Sequence, residues 1–403
     1  MDNKPVLKED IFSRTIYSLK RNVSHVNDYY RIGYNYLGPL LFGFCQWINN
    51  RQKKSGRKIL FLARDGFVVQ KAYNLLYDSK ASNYVSISRR SITVPMLINA
   101  TNWGDVVDIV GYVKRVETWF DLLHKLGLED EELSEKLAND YGEVIYKEEL
   151  INEGRYVKAF DDIKEKMWVN AKVEYKEARH YLDSFFNNKV SIVDIGWYGT
   201  MQKTLNIFYS EKKDQIDGYY IGILKKEGYS QISMNGFIYD EIHNYSTYNP
   251  KLIYGFNGLI ESFFSADHGS TKKYNQGQPI YEDWESENWP IISKVQEGAL
   301  AFCRDAKFLL SYDFTMSVHE SYAGLHRIMT RPKRHEIKHL GNLIFFDTYY
   351  EPLIKKHHYI RYMISPKLFV RDFMLSNWKI GYLKKVFVLP IADKIYLLLL
   401  KLK

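Results

Sequence analysis

Two short runs constrain the fold of this chain more than any other feature. Residues 58–63 (KILFLA) and 83–88 (NYVSIS) are apolar or alternating and β-rich. Between them FVVQKAYNLLYD keeps its apolar residues on one helical face. Strand, helix and strand at this spacing form a βαβ unit, which commits the chain to a parallel sheet. KVSIVD (189–194) resumes the sheet, followed by a glycine loop (195–199) and a helix (200–209). GYYIGILKK (218–226) is a further strand, and GFIYD (236–240) is expected at an edge.

The rest of the chain reads as helix. Residues 10–54 carry apolar positions at helical spacing, with Gly38-Pro39 as a start or kink. Residues 96–186 switch to long charged helical segments with few strand-like runs, as an insertion would. Beyond 250 helices dominate again, around a polar, glycine-containing stretch at 265–288. The expected architecture is an α/β parallel-sheet core, Rossmann-like, with a helical insertion and helical flanks. Its expected parts are an N-terminal helical region (1–55), a core from 56–95 and 187–260, a helical insertion (96–186) and a mostly helical C-terminal region (261–403).

Composition narrows the class. Of 403 residues, 46% are hydrophobic and 26% charged, a globular balance. Two cysteines, Cys45 and Cys303, argue against a disulfide scaffold and exclude a Cys-rich metal site. The start, MDNKPVLKEDIFSR, has no apolar leader segment, and no run of 18 uncharged apolar residues occurs. A cytoplasmic protein is expected. The net charge is +8, with Lys355, Lys356, Arg361, Lys367, Arg371, Lys379, Lys384 and Lys385 preceding the tail VFVLPIADKIYLLLLKLK. A basic, apolar but interrupted tail suits contact with an anionic inner-leaflet membrane surface, or docking on the protein body. No nucleic-acid motif accompanies the charge, so no nucleic-acid partner is expected.

Ligands of open parallel sheets lie beyond the carboxyl ends of the strands. Three such ends carry chemically useful groups: Arg64-Asp65-Gly66, Ser88-Arg89-Arg90-Ser91, and Asp194-Ile195-Gly196-Trp197-Tyr198-Gly199-Thr200. Asp194 closes an apolar strand and suits a hard cation such as Mg²⁺, with Asp65 as its partner. Gly196 and Gly199 let backbone N–H groups approach an anion at a helix start, and Thr200 can cap that helix or bond a phosphate oxygen. Arg64 and Arg89 or Arg90 present forks suited to phosphate, or to salt bridges within a loop cluster.

FLARDG, SRRS and DIGWYGTMQ together resemble a group of haloacid dehalogenase (HAD)-like proteins encoded with bacterial capsule and O-antigen glycosyltransferases. The resemblance extends to IGYNYLGPLLFGF (32–44), ESFFSADHGSTKKY (261–274), RPKRHEIKHLG (331–341) and NWKIGYLKK (377–385), covering most of the chain. It implies a parallel α/β core with a cap. A HAD phosphatase carries its aspartate nucleophile at the position of Ala63 and a general acid at that of Asp65. The resemblance matches Ser88 to the hydroxyl of the second strand end and Asp194 to the metal ligand. Ala63 breaks the pattern, because a methyl group cannot form an aspartyl-phosphate.

What survives is a grip on a metal–phosphate group. The resemblance therefore implies glycosyl transfer in surface-polysaccharide assembly, from a nucleotide sugar or phosphoribosyl diphosphate to a glycan or glycolipid acceptor. Other glycosyltransferases of that assembly are the expected partners. Asp65 or Glu261 is the candidate base. Gly66 and Trp197 join Arg64, Ser88, Arg89, Arg90, Gly196, Gly199 and Thr200 as candidate ligand contacts. His268, and His335 with His339 at helical spacing, are weaker acid–base or metal candidates. A sugar-phosphate phosphatase or hydrolase and a non-catalytic sugar-phosphate-binding scaffold are the alternatives.

Overall fold

Alternate residues of the first strand face two different cores. In the computed structural model, Ile59 and Phe61 of β1 (Lys58–Leu62) join one hydrophobic cluster, while Leu60 and Leu62 join another. A strand covered on both faces reads as an unbroken apolar run, and the period of two divides its side chains between the layers. The same division recurs in β3 (Val190–Asp194), where Val193 faces one cluster and Val190 and Ile192 the other. The structure describes residues 14–16, 18–19, 27–78, 83–152, 154–225, 232–249, 257–284, 286–312, 314–346, 350–387, 394–396 and 398.

The sheet also contains β2 (Asn83–Val85), β4 (Ile216–Ile223), β5 (Met234–Asp240) and β6 (Tyr245–Ser246). Their order is β2-β1-β3-β4-β5-β6. All neighbours pair in parallel except β5 with β6. The fold is α/β with a mostly parallel central sheet, and its chain order reverses between β1 and β3. GFIYD, expected at an edge, lies inside β5; the two residues of β6 form the edge instead. β2 is also shorter than expected, because the chain leaves the sheet at Ser86.

One face is covered by α1 (Gly38–Ser55), α2 (Gly66–Tyr77) and α7 (Trp289–Ala306), whose buried residues share the larger cluster. The glycines of IGYNYLGPLLFGF seat this layer. A Cβ on Gly33 would overlap the carbonyl oxygen of Val295, and one on Gly298 would overlap that of Tyr30. Backbone-to-backbone approach of this kind requires glycine. The other face is covered by α3 (Arg89–Met96), α4 (Arg155–Leu182) and α5 (Thr200–Phe208).

The insertion encloses a core of its own, built from residues between Leu97 and Ala171. It contains a short antiparallel pair, Val116–Thr118 with Val144–Tyr146. The helix α4 belongs to both bodies. Tyr156, Phe160, Ile163, Met167 and Ala171 pack in the insertion, and Ala178 and Leu182 pack against the sheet.

The polar stretch at 265–288 is a β-hairpin as well as a loop. Strands β7 (Thr271–Asn275) and β8 (Gln278–Tyr281) pair antiparallel around Gln276-Gly277, whose φ angles are both positive (50° and 70°). Positive φ at both turn residues marks a type I′ hairpin turn. Among the described residues no helix is long and apolar enough to cross a membrane. Of the C-terminal tail, residues 388–393, 397 and 399–403 lie outside the described residues, as do residues 1–13.

Candidate active site

The reversal of chain order opens a crevice beyond the carboxyl ends of β1 and β3. A cavity of about 830 Å³ fills it, lined by Ala63, Arg64 and Asp65 after β1, Ser88 and Arg89 at the start of α3, and Asp194 at the end of β3. Glu261 of α6 (Asn257–Phe263) and the hairpin with its following loop complete the wall. Three strand ends predicted from sequence to converge do converge.

Asp65 and Asp194 lie within hydrogen-bonding reach of each other. Burial is the main force raising the Asp194 carboxyl well above the usual carboxylate range, and the Asp65 charge raises it further; a hydrogen bond from the Ile195 amide opposes them. Burial also raises Asp65, against the pull of Arg64, of the Asp194 hydrogen bond and of Arg89. Two carboxyls this close cannot both ionise freely, and sharing a proton is one way to relieve them. A divalent cation is the other way to hold both carboxylates ionised. Mg²⁺ takes one or two protein carboxylates and completes its shell with water or substrate phosphate. The pair fits that mode. Among the described residues no group of three or more His, Cys, Asp or Glu is arranged to hold a metal.

The remaining candidates divide into wall and support. Arg64 is exposed, and its Nη1 donates to Ser270 Oγ at 3.0 Å. Arg89 is exposed on the cavity wall with its guanidinium over the Tyr112 ring. Arg90 is a correction to the phosphate-binding expectation. It is buried and bonds both oxygens of Glu174 in α4, at 3.0 and 3.1 Å, and the Lys272 carbonyl. It clamps the insertion to the core and does not line the cavity. Ser88 lines the wall, but its hydroxyl caps α3 by accepting from the Ser91 amide and donates to the Thr271 carbonyl at 2.6 Å. Its proton is committed to the hairpin.

The glycine turn supports the site from behind. Gly66 starts α2 tight against the Phe61 backbone. Gly196 has φ +128°, and a Cβ there would overlap the Gly222 carbonyl oxygen. Gly199 is left-handed, and neither it nor Thr200 lines the cavity; Met201 does. Trp197, expected to touch ligand, is buried, stacks 2° from parallel on Tyr239, and donates its indole N–H to Glu261 Oε1 at 2.8 Å. Its role is to hold the candidate base.

His268 is not in the wall. Its Nε2 meets Tyr84 Oη at 2.7 Å and its Nδ1 meets the Gly269 carbonyl, within a cage of Phe67, Tyr84 and Tyr281 rings. His339 pairs with Asp28 at 2.9 Å, away from the crevice.

Sequence reasoning missed Glu282, Asp283, Trp284 and Glu287, which the hairpin and its following loop bring to the wall. They raise the lining to six carboxyl groups against two guanidinium groups, Arg64 and Arg89. Compared with known proteins, the chain matches no family model, and no curated protein sequence matches it.

Proposed function

We propose that the cavity transfers a glycosyl group from a phosphate-activated donor, a nucleotide sugar or phosphoribosyl diphosphate, to a hydroxyl of a glycan or glycolipid acceptor in surface-polysaccharide assembly. The observation that carries the reading is Ala63 lining the cavity beside the Asp65–Asp194 pair. A methyl group there removes covalent phosphoryl chemistry but leaves the means to grip and stabilise a departing phosphate. The HAD-like resemblance supplies the pathway context.

In this reading Arg64 and Arg89 receive the donor phosphates as bidentate forks. Asp65 and Asp194 would hold Mg²⁺, which would supply neutralising charge on the leaving diphosphate. The acidic wall makes such a cation necessary, since six carboxyls would otherwise repel an anionic donor. Glu261, held by the Trp197 indole, takes the proton of the acceptor hydroxyl. The new bond forms from that oxygen to the anomeric carbon as the carbon–phosphate oxygen bond breaks. Glu282, Asp283 and Glu287 can accept hydrogen bonds from sugar hydroxyls, and Trp284 offers a ring face.

The test is a thermal-shift screen of nucleotide sugars, phosphoribosyl diphosphate and sugar monophosphates, each with and without Mg²⁺, on wild type and Asp194→Asn. A ligand at a hundredfold excess over its Kd stabilises by about 2.7 kcal/mol. A Mg²⁺-dependent shift with one diphosphate donor, absent in Asp194→Asn, supports transfer and names the donor. Shifts with monophosphates alone overturn it in favour of a sugar-phosphate hydrolase, for which Ala63→Asp should then gain phosphatase activity. Intact polysaccharide in cells carrying Asp65→Asn and Asp194→Asn would instead favour a binding scaffold.

A further inference from the structure

The C-terminal helices leave an unusual surface uncovered. In α8 (Tyr359–Ile364) the residues Ile360, Met363 and Ile364 are 48%, 77% and 79% exposed, at i, i+3 and i+4 on one face. In α9 (Pro366–Leu375) the exposed line runs Lys367, Val370, Arg371, Met374, again at helical spacing. Its opposite face packs inward through Phe369 and Phe373 against Tyr382. Further along, Ile395 and Leu398 are more than half exposed.

The charge on this surface is one-sided. Residues 352–387 contain eight Lys and Arg and a single acidic residue, Asp372. Asp372 is fully buried, where it meets His357 Nδ1 at 2.6 Å and Tyr362 Oη at 2.8 Å. Of the eight cations Lys356, Arg361, Lys367 and Arg371 are exposed beside the apolar tips, and the carboxyl of Asp372, although 3.6 Å from the Arg371 guanidinium, is itself turned into the body.

We propose that this face docks on an anionic lipid bilayer, lying in its interface. Exposed apolar side chains interleaved with Lys and Arg are what partition into the headgroup boundary, and helices this short cannot span it. A second copy fits poorly, because two such faces would oppose cations with no carboxylate between them. A nucleic-acid backbone would leave Met363 and Ile364 without a partner. The surface is independent of the cavity chemistry.

Vesicle co-sedimentation of the full chain tests it. Wild type should bind phosphatidylcholine–phosphatidylglycerol vesicles at least about tenfold better than phosphatidylcholine alone, less so as salt rises. Met363→Asp with Ile364→Asp and Met374→Asp should abolish binding. Arg361→Glu with Lys367→Glu should weaken it by roughly fivefold or more per cation. Both variants should keep the wild-type melting temperature, since the changed side chains are exposed. Equal binding to both vesicle types, or binding unchanged in both variants, overturns the proposal. So does absent vesicle binding, whether accompanied by self-association, by duplex-DNA binding or by neither.

Discussion

Asp194 closes β3 where the chain order reverses, and burial opposes the ionisation of its carboxyl. Its carboxyl and that of Asp65 are both raised in the folded state. A raised carboxyl contributes stability that is fully present below the unfolded value, about 4, and is lost as pH rises through the folded value. Metal-free wild type should therefore lose melting temperature relative to Asp194→Asn as pH rises from about 4. Mg²⁺ should restore it at neutral pH in wild type alone. A difference between the two proteins that is independent of pH would contradict the shared proton. The two neighbouring arginines separate in the same way. Arg89→Ala, at an exposed position, should leave stability within about 0.5 kcal/mol and weaken any phosphate-bearing ligand in a titration.

At the scale of elements, two close approaches matter. The helix α7 meets the segment before α1 through Gly298 and Gly33, with no room for a side chain. Gly298→Ala should cost about 1–3 kcal/mol in a denaturant melt, because backbone must move; a neutral result would mean the layers can separate. The second approach is the hairpin on the Ser86–Ser91 turn. Ser86 meets Tyr281 Oη, Tyr274 donates to the Ser86 carbonyl, and Ser88 donates to the Thr271 carbonyl. That contact carries Glu282 and Asp283 to the cavity wall. TKKYN gives no alternating apolar signal. Its strands form because the turn chemistry of Gln276-Gly277 and these anchors hold them.

At the scale of the whole molecule, the sheet carries a core on each face and the insertion a core of its own, bridged by the helix α4 and by a buried ion pair. Arg90 in α3 and Glu174 in α4 link the sheet to the insertion, with Ile109 packed against both clusters and Lys272 of β7 paired with Glu129. Arg90→Met leaves Glu174 buried without its partner, at about 3–5 kcal/mol. Hydrogen exchange should then show protection lost across residues 97–150 while β1 and β3 keep theirs. Uniform loss across both bodies would mean they unfold as one. The molecule also divides by charge: a chain of net charge +8 encloses a cavity walled by six carboxyls and two guanidiniums.

Much of this organisation could be read from sequence because it rests on local periodicity. Apolar runs and the helix between them set a parallel sheet, and polar residues directly after strands had to meet at its carboxyl edge, so Asp65, Asp194, Arg64 and Arg89 were identifiable. Side-chain partners were not. Arg89 and Arg90 are neighbours with identical chemistry, yet one helical step of about 100° turns one to the cavity and the other to Glu174. Trp197 faces Glu261, and Glu282 reaches the wall, through contacts spanning long stretches of chain. Periodicity decides which face of an element is buried; only the packed tertiary structure decides what each side chain meets.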